Sequence, residues 1–156
     1  MNDDQTAPLH VAFVQAGWHR ELTDPCRDAF IGELEALQPG SVVERFDVPG
    51  ALEIPLRAKL LAETGRFDGV VGCALVVNGG IYRHEFVAQA VLDGIMAVQL
   101  KAEIPVLSLV LTPQEFDEND PADLRFFGEH LLTKGVEVAQ ACAAVVESSR
   151  QLTASA

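Results

Sequence analysis

Positive charge is scarce in this chain: 11 Lys and Arg stand against 23 Asp and Glu, for a formal net charge of −12. A long-range field of that sign repels phosphate polyanions and anionic headgroups, which argues against nucleic acid or a membrane surface as the main partner. Any phosphate bound here must be held by local groups. Cysteine is scarce too. Cys26, Cys73 and Cys142 are odd in number, far apart and without metal-ligand spacing, so neither a disulfide nor a metal site is expected. They read as small buried apolar residues in a reducing compartment.

Long apolar runs are missing as well. The longest uncharged one, Gly69 to Val77, is far too short to cross a bilayer. The opening MNDDQTAP carries acids and no apolar core, unlike a secretory signal or a basic transit peptide. A soluble cytoplasmic protein is the expectation. No GxxxxGK[ST], GxGxxG or GxSxG occurs, so P-loop hydrolysis, Rossmann dinucleotide binding and a nucleophile elbow have no support. The first apolar segment lacks an acidic pair at its end and the third ends in Asn78, which counts against a phospho-receiver.

What the chain does have is length for one domain, 156 residues at 49% hydrophobic, enough to build a core. Residues 1–156 are expected to form a single domain, with 1–8 and 149–156 flexible. Four apolar segments recur, LHVAFVQA (9 to 16), SVVERFDV (41 to 48), FDGVVGCALVV (67 to 77) and IPVLSLVLT (104 to 112). The first, third and fourth are nearly continuous, as strands covered on both faces require.

Helical spacing fills the gaps between them. It picks out Leu22, Cys26, Phe30 and Leu34 within 20–37, and Leu52, Leu56, Leu60 and Leu61 within 51–63. Within 84–101 it picks out Val87, Val91, Ile95 and Val98, and within about 133–148 Val136, Ala139, Ala143 and Val146. Alternating strands and helices imply right-handed crossovers. The expected fold is α/β: a three-layer, flavodoxin-like domain with a four-stranded parallel sheet. The stretch 113–132, with QEFDENDPADLRFFGEH, breaks the rhythm. It reads either as a loop with Phe anchors or as a part that packs on a neighbouring subunit.

Ligands of such sheets bind beyond the carboxyl ends of the strands. After the first strand comes Gly17-Trp18-His19 with the only tryptophan, either core filler or a flat platform for a heterocycle. After the second comes DVPGALEIP, where Gly50 permits close backbone approach and Glu53 serves either the helix dipole or a ligand hydroxyl. After the third comes VVNGGIYRHEF. Gly79 and Gly80 there would offer backbone donors to phosphate, beside the fixed charge of Arg83 and the titratable His84. The plainer alternative is a tight turn with an exposed Arg-His pair.

VPGALEIPLRAKLL resembles the VPGAxEIPxxAKxL signature of lumazine synthase, the 6,7-dimethyl-8-ribityllumazine synthase of riboflavin biosynthesis, and the likeness continues through HEFVAQAV, IPVLSLVLT and TKGVEVAQA. It extends from Val11 to about Glu147. The resemblance implies condensation of 5-amino-6-(D-ribitylamino)uracil with 3,4-dihydroxy-2-butanone 4-phosphate. Phosphate and water are released, no redox cofactor or metal takes part, and the site lies between adjacent subunits of a pentamer. By the same resemblance Trp18 stacks on the pyrimidine and Ala51, Leu52 and Glu53 contact the ribitylaminouracil. Leu75, Val76 and Val77 line the pyrimidine pocket, and Gly80 and Ile81, with Gly79 beside them, hold phosphate.

Three departures from the family pattern matter. On NGGIYRHEF the family histidine meets Arg83, with His84 one residue on; arginine is not a neutral base at pH 7. The family's phosphate-binding arginine aligns near Phe126, so Arg125 or His130 is the candidate substitute. Its aromatic in the fourth strand is Ser108 here, and 113–132 is longer than in shell-forming members. These features resemble the subgroup that assembles as decamers of two pentamers. Two functions therefore stand side by side: the enzyme, and a lumazine- or flavin-binding storage or sensing protein on the same scaffold.

Overall fold

The computed structural model describes residues 7–155. Four strands, β1 (His10–Ala16), β2 (Val42–Val48), β3 (Gly69–Leu75) and β4 (Val106–Leu111), form one parallel sheet in the order β2-β1-β3-β4. Helices α1 (Arg20–Leu37), α2 (Ile54–Glu63), α3 (His84–Ala102) and α4 (Pro121–Ala154) cover it. The three-layer α/β/α arrangement of flavodoxin-like type is the one the alternation of segments implies.

Strand alternation divides the core in two. Ala12, Val14, Val70 and Ala74 meet Ile54, Ala58, Val91 and Ile95 of α2 and α3 on one face. On the other face Val11, Phe13 and Val71 meet Phe30 and Leu34 of α1 and Ala139 and Val146 of α4. Phe13 and Phe30 are fully buried with ring centroids 5.4 Å apart, a tilted pair that adds about 0.5–1.5 kcal/mol beyond the area it buries. At Gly72 a Cβ would come 2.7 Å from Ile54 Cγ2, so the bare α-carbon lets α2 lie close to the sheet.

The first crossover runs from β1 through α1 to β2, and that of β3 runs through α3 to β4 on the opposite face. Between the carboxyl ends of the adjacent strands β1 and β3 the crossovers part, and that is where a crevice opens in such sheets.

Three expectations need correction. Leu52, just ahead of α2, and Leu56 and Leu60 on it are 56%, 64% and 52% exposed; the core face of the helix is Ile54, Ala58, Leu61 and Ala62. Two apolar faces share this segment, and leucine periodicity selected the outer one. Residues 51–53 form a 3-10 turn rather than the first turn of α2, and Pro55 follows at a position where no N–H donor is needed.

The stretch 113–132 is not all loop. Helix α4 starts at Pro121 because Asp120 caps it, accepting from Ala122 N at 2.9 Å, with proline in the first turn. At the other end residues 149–154, expected to be flexible, continue α4, and the Arg150 guanidinium donates to the carbonyls of Ala7 and Pro8. Residues 1–6 and 156, the rest of the ends expected to be flexible, lie outside the described residues.

Candidate active site

The crevice between β1 and β3 holds a cleft of about 310 Å³. Trp18 and His19 form one wall, Leu75, Val76 and Val77 the floor, and Ile81, Tyr82, Arg83 and His84 the opposite wall, with Gly79 at the rim. The floor is the last residue of β3, a strand buried along its whole length, and the two valines that follow it, so it is apolar.

Trp18 is placed by its loop. Gly17 N donates to Val48 O at 3.1 Å, tying the end of β1 to the end of β2. His19 takes left-handed backbone angles, φ 53° and ψ 49°, an uncommon state for a residue with a side chain. Trp18 remains 40% exposed and packs on Gly50, where a Cβ would lie 2.6 Å from its Cζ2. It is therefore no core filler.

Glu53 reaches back to Gly50, whose N–H donates to its Oε2 at 2.9 Å. The carboxylate is thus held at the N-terminal end of the helical segment and leaves its remaining acceptor capacity exposed. Ala51 is fully buried in the core, so only its backbone can face a ligand, and Leu52 points outward.

The glycine pair stands ahead of the helix rather than in its first turn. Arg83 is the N-cap and His84 the first helical residue of α3. Gly80 has φ +85°, a value that favours glycine, and its N–H donates to Asn78 Oδ1 at 2.8 Å. A Cβ at either Gly79 or Gly80 would meet nothing, so the loop lies open. A phosphate taking the Gly80 donor would displace the Asn78 side chain.

His84 and Arg83 differ sharply. The His84 side chain is 9% exposed, with Nδ1 3.5 Å from Glu85 Oε2. Arg83 is exposed. Both line the cleft with Trp18.

Carboxylates crowd the outer side of the glycine loop. Asp117 and Glu118 line a second cleft with Asn78, Gly79 and His19, and His19 Nδ1 is 3.5 Å from Glu21 Oε1 and 3.9 Å from Glu118 Oε2. Among the described residues no group of three or more His, Cys, Asp or Glu is arranged to hold a metal.

Seven expected site residues do not line the cleft within one chain: Ala51, Leu52, Glu53 and Gly80 belong to the adjoining crevice loops, and the other three lie on β4 and α4. Ser108 sits in the middle of edge strand β4 opposite Gly72, and its Oγ accepts from Val110 N at 3.1 Å. Arg125 is exposed on α4. His130 stacks on Phe126 at 5.7 Å and 7°, the outer end of an aromatic series that runs through Phe127 and Phe116 to His19.

Conversely, His19 and Tyr82 line the cleft though neither was singled out. Their place beside Trp18 and Arg83 in the two crevice loops was the signal available.

The model of the family described as 6,7-dimethyl-8-ribityllumazine synthase matches residues 8–150. The chain is similar to 6,7-dimethyl-8-ribityllumazine synthase of Rhodococcus erythropolis, 49% identical over 146 residues, 93% of this chain and 94% of the relative. It is 53% identical over 136 residues to 6,7-dimethyl-8-ribityllumazine synthase 2 of Bradyrhizobium diazoefficiens, covering 87% of this chain and 81% of that one. With the protein of the same name from Pseudomonas syringae pv. tomato it shares 50% over 143 residues, 91% and 84% of the two chains.

Proposed function

This chain belongs to the 6,7-dimethyl-8-ribityllumazine synthase family and is an enzyme of riboflavin biosynthesis; on that premise we propose how its cleft performs the condensation. The observation that carries the reading is the meeting of Trp18, Arg83 and His84 around one apolar-floored cleft. The pyrimidine of 5-amino-6-(D-ribitylamino)uracil stacks on Trp18 over Leu75, Val76 and Val77. Its ribityl hydroxyls donate to the Glu53 carboxylate, and the backbone of 51–53 completes that edge. The phosphate of 3,4-dihydroxy-2-butanone 4-phosphate takes the open loop of Gly79, Gly80 and Ile81, with Arg83 supplying the charge that the surrounding acids withhold.

The steps follow from the reactants. The 5-amino group adds to the ketone and loses water to give an imine. Loss of the proton from the hydroxyl-bearing carbon expels phosphate and leaves an enol, which ketonises; attack of the ribityl-bearing nitrogen on that new carbonyl closes the ring with loss of the second water. Each step moves a proton between nearby atoms, so holding two substrates together and supplying one acid/base group is what a catalyst must do. We assign the proton work to His84, held in place by its burial, and anion stabilisation to Arg83.

The apolar outer face of α2 supports a homo-oligomer, a pentamer paired into a decamer. In it Ser108, Arg125 and His130 enter the cleft of a neighbouring copy. The whole chain acts as one domain, and the free, buried state of Cys26, Cys73 and Cys142 accords with the cytoplasm.

The test is turnover. Purified protein given both substrates is expected to form the fluorescent lumazine well above the uncatalysed rate, and Trp18→Ala to raise KM for the pyrimidine substrate. A rate equal to that of the reactants alone would defeat the proposal.

A further inference from the structure

Gly50 has no conformational reason to be glycine. Its φ of −147° and ψ of −179° are extended backbone open to any residue. What excludes a side chain is its neighbours: a Cβ would stand 2.6 Å from Trp18 Cζ2 and 3.1 Å from both Trp18 Cε2 and Glu53 Oε2. Normal carbon contacts lie near 3.5–4.0 Å, so an added methyl would displace the indole by about 1 Å. The bare α-carbon and the indole are in van der Waals contact, and the ring sits directly on the backbone of the second crevice loop.

The same residue also fixes the carboxylate, since Gly50 N donates to Glu53 Oε2 at 2.9 Å. Two further ties keep the loops in register. Gly17 N donates to Val48 O at 3.1 Å, and Arg20 Nη2 lies 2.8 Å from Asp47 Oδ1. One residue thus carries the ring surface on its α-carbon and the acceptor on its amide, and so sets the spacing between them.

We infer that Gly50 is a positioning residue for the pyrimidine substrate: it seats the Trp18 indole against the backbone and holds Glu53 at a fixed offset from it. The proposal rests on the reading of this cleft as the ribitylaminouracil site. It differs from that reading in making the glycine serve an internal aromatic contact rather than close approach of the ligand to the backbone.

The test uses the fact that Trp18 is the only tryptophan in the chain. In ligand-free Gly50→Ala, tryptophan emission is expected to move to longer wavelength as the indole is pushed off its seat. Gly32→Ala, where a Cβ meets nothing within 4 Å, is expected to leave emission unchanged. With both substrates, Gly50→Ala is expected to raise KM for the pyrimidine by about tenfold to 100-fold, the scale of a 1 Å misplacement, with kcat moving far less.

Trp18→Phe removes Cζ2, the atom of the shortest contact, and leaves only the end of the flexible Glu53 side chain to give way. Adding Gly50→Ala to it is therefore expected to cost little beyond Trp18→Phe alone. Unchanged emission together with a wild-type KM in Gly50→Ala would overturn the proposal, as would additive losses in the double variant. Failure of the wild-type protein to make product would instead defeat the functional reading, while the emission shift still reports on Gly50.

Discussion

The guanidinium carbon of Arg83 stands 5.9 Å from the centroid of the Phe86 ring, three residues along the chain. That is the outer reach of a cation–π contact, and Phe86 is itself 69% exposed, so the contact contributes little more than the roughly 0.5–1 kcal/mol of an exposed pair. Arg83 is consequently free to turn toward an anion. His84 beside it is nearly enclosed and begins α3. On the proposed assignment the loosely held cation would follow the phosphate, and the fixed imidazole would stay where protons move.

His84→Gln is accordingly expected to lower kcat by about 100-fold or more, the usual contribution of a positioned acid/base group. Arg83→Ala should act mainly on KM for the phosphate-bearing substrate, and Arg83→Lys should restore part of that loss because the charge survives without the fork. Steady-state kinetics with each substrate varied in turn separates the two. Equal kcat losses at both positions would contradict the division.

Two helical glycines offer a contrast in stability. A Cβ on Gly135 would come 2.4 Å from the Cys26 carbonyl oxygen and 3.2 Å from Ala29 Cβ. Helices α4 and α1 touch there, and backbone cannot yield as a flexible side chain can. Gly135→Ala is expected to cost about 1–3 kcal/mol or more, as overpacking does. Gly32→Ala, in open space on α1, should gain about 0.5–1 kcal/mol through helix propensity. Urea unfolding midpoints with unchanged slopes would show both.

These contacts also mark how far the sequence could be read. The strands were legible because both-face burial leaves unbroken apolar runs, as in Gly69 to Val77, and α1 was placed over 20–37 because a single apolar stripe faces its core. The outward leucines of α2 misled the same reasoning, since periodicity reports an apolar face without saying what covers it. The start of α4 was readable in Asp120-Pro121, a cap followed by proline at the first helical position, but acids and proline together suggested loop. The seat of Trp18 on Gly50 could not be read at all, because it joins residues on two different crossovers. Ser108, Arg125 and His130 came from resemblance alone, and within one chain they stay apart from the cleft.

Alkaline pH should expose a buried thiol. Burial, assisted by the nearby Asp68 carboxylate, pushes Cys142 from 9.0 up to about 12. Below pH 9 the thiol is neutral in both folded and unfolded chains and its contribution is constant. Above it the unfolded chain releases the proton first, so stability is lost as pH rises from 9 toward 12. Cys142→Ala is expected to be about 0.5–3 kcal/mol less stable near pH 8, yet to lose less than the parent between pH 9 and 11. Parallel unfolding curves across that range, with identical pH slopes, would show that the thiol is not shielded.

The outer face of α2 carries the last prediction. Leu52, Leu56 and Leu60 are spaced four apart and more than half exposed, so they form a continuous apolar strip on one side of the chain. On a monomer such a strip would leave about 1–2 kcal/mol of burial unrealised for each of these half-exposed leucines, which favours covering it with a second copy. Leu56→Glu places a charge in that strip without touching the core, because Leu56 is 64% exposed. Light scattering is expected to give a mass ten times that of the chain for the parent and a smaller species for the variant, with helical content retained. Activity should fall in step with assembly if, as proposed, Ser108, Arg125 and His130 serve the cleft of a neighbouring copy. A variant that dissociates yet keeps full turnover would place the complete site within one chain, and a parent that runs as a monomer would leave the strip without its occupant.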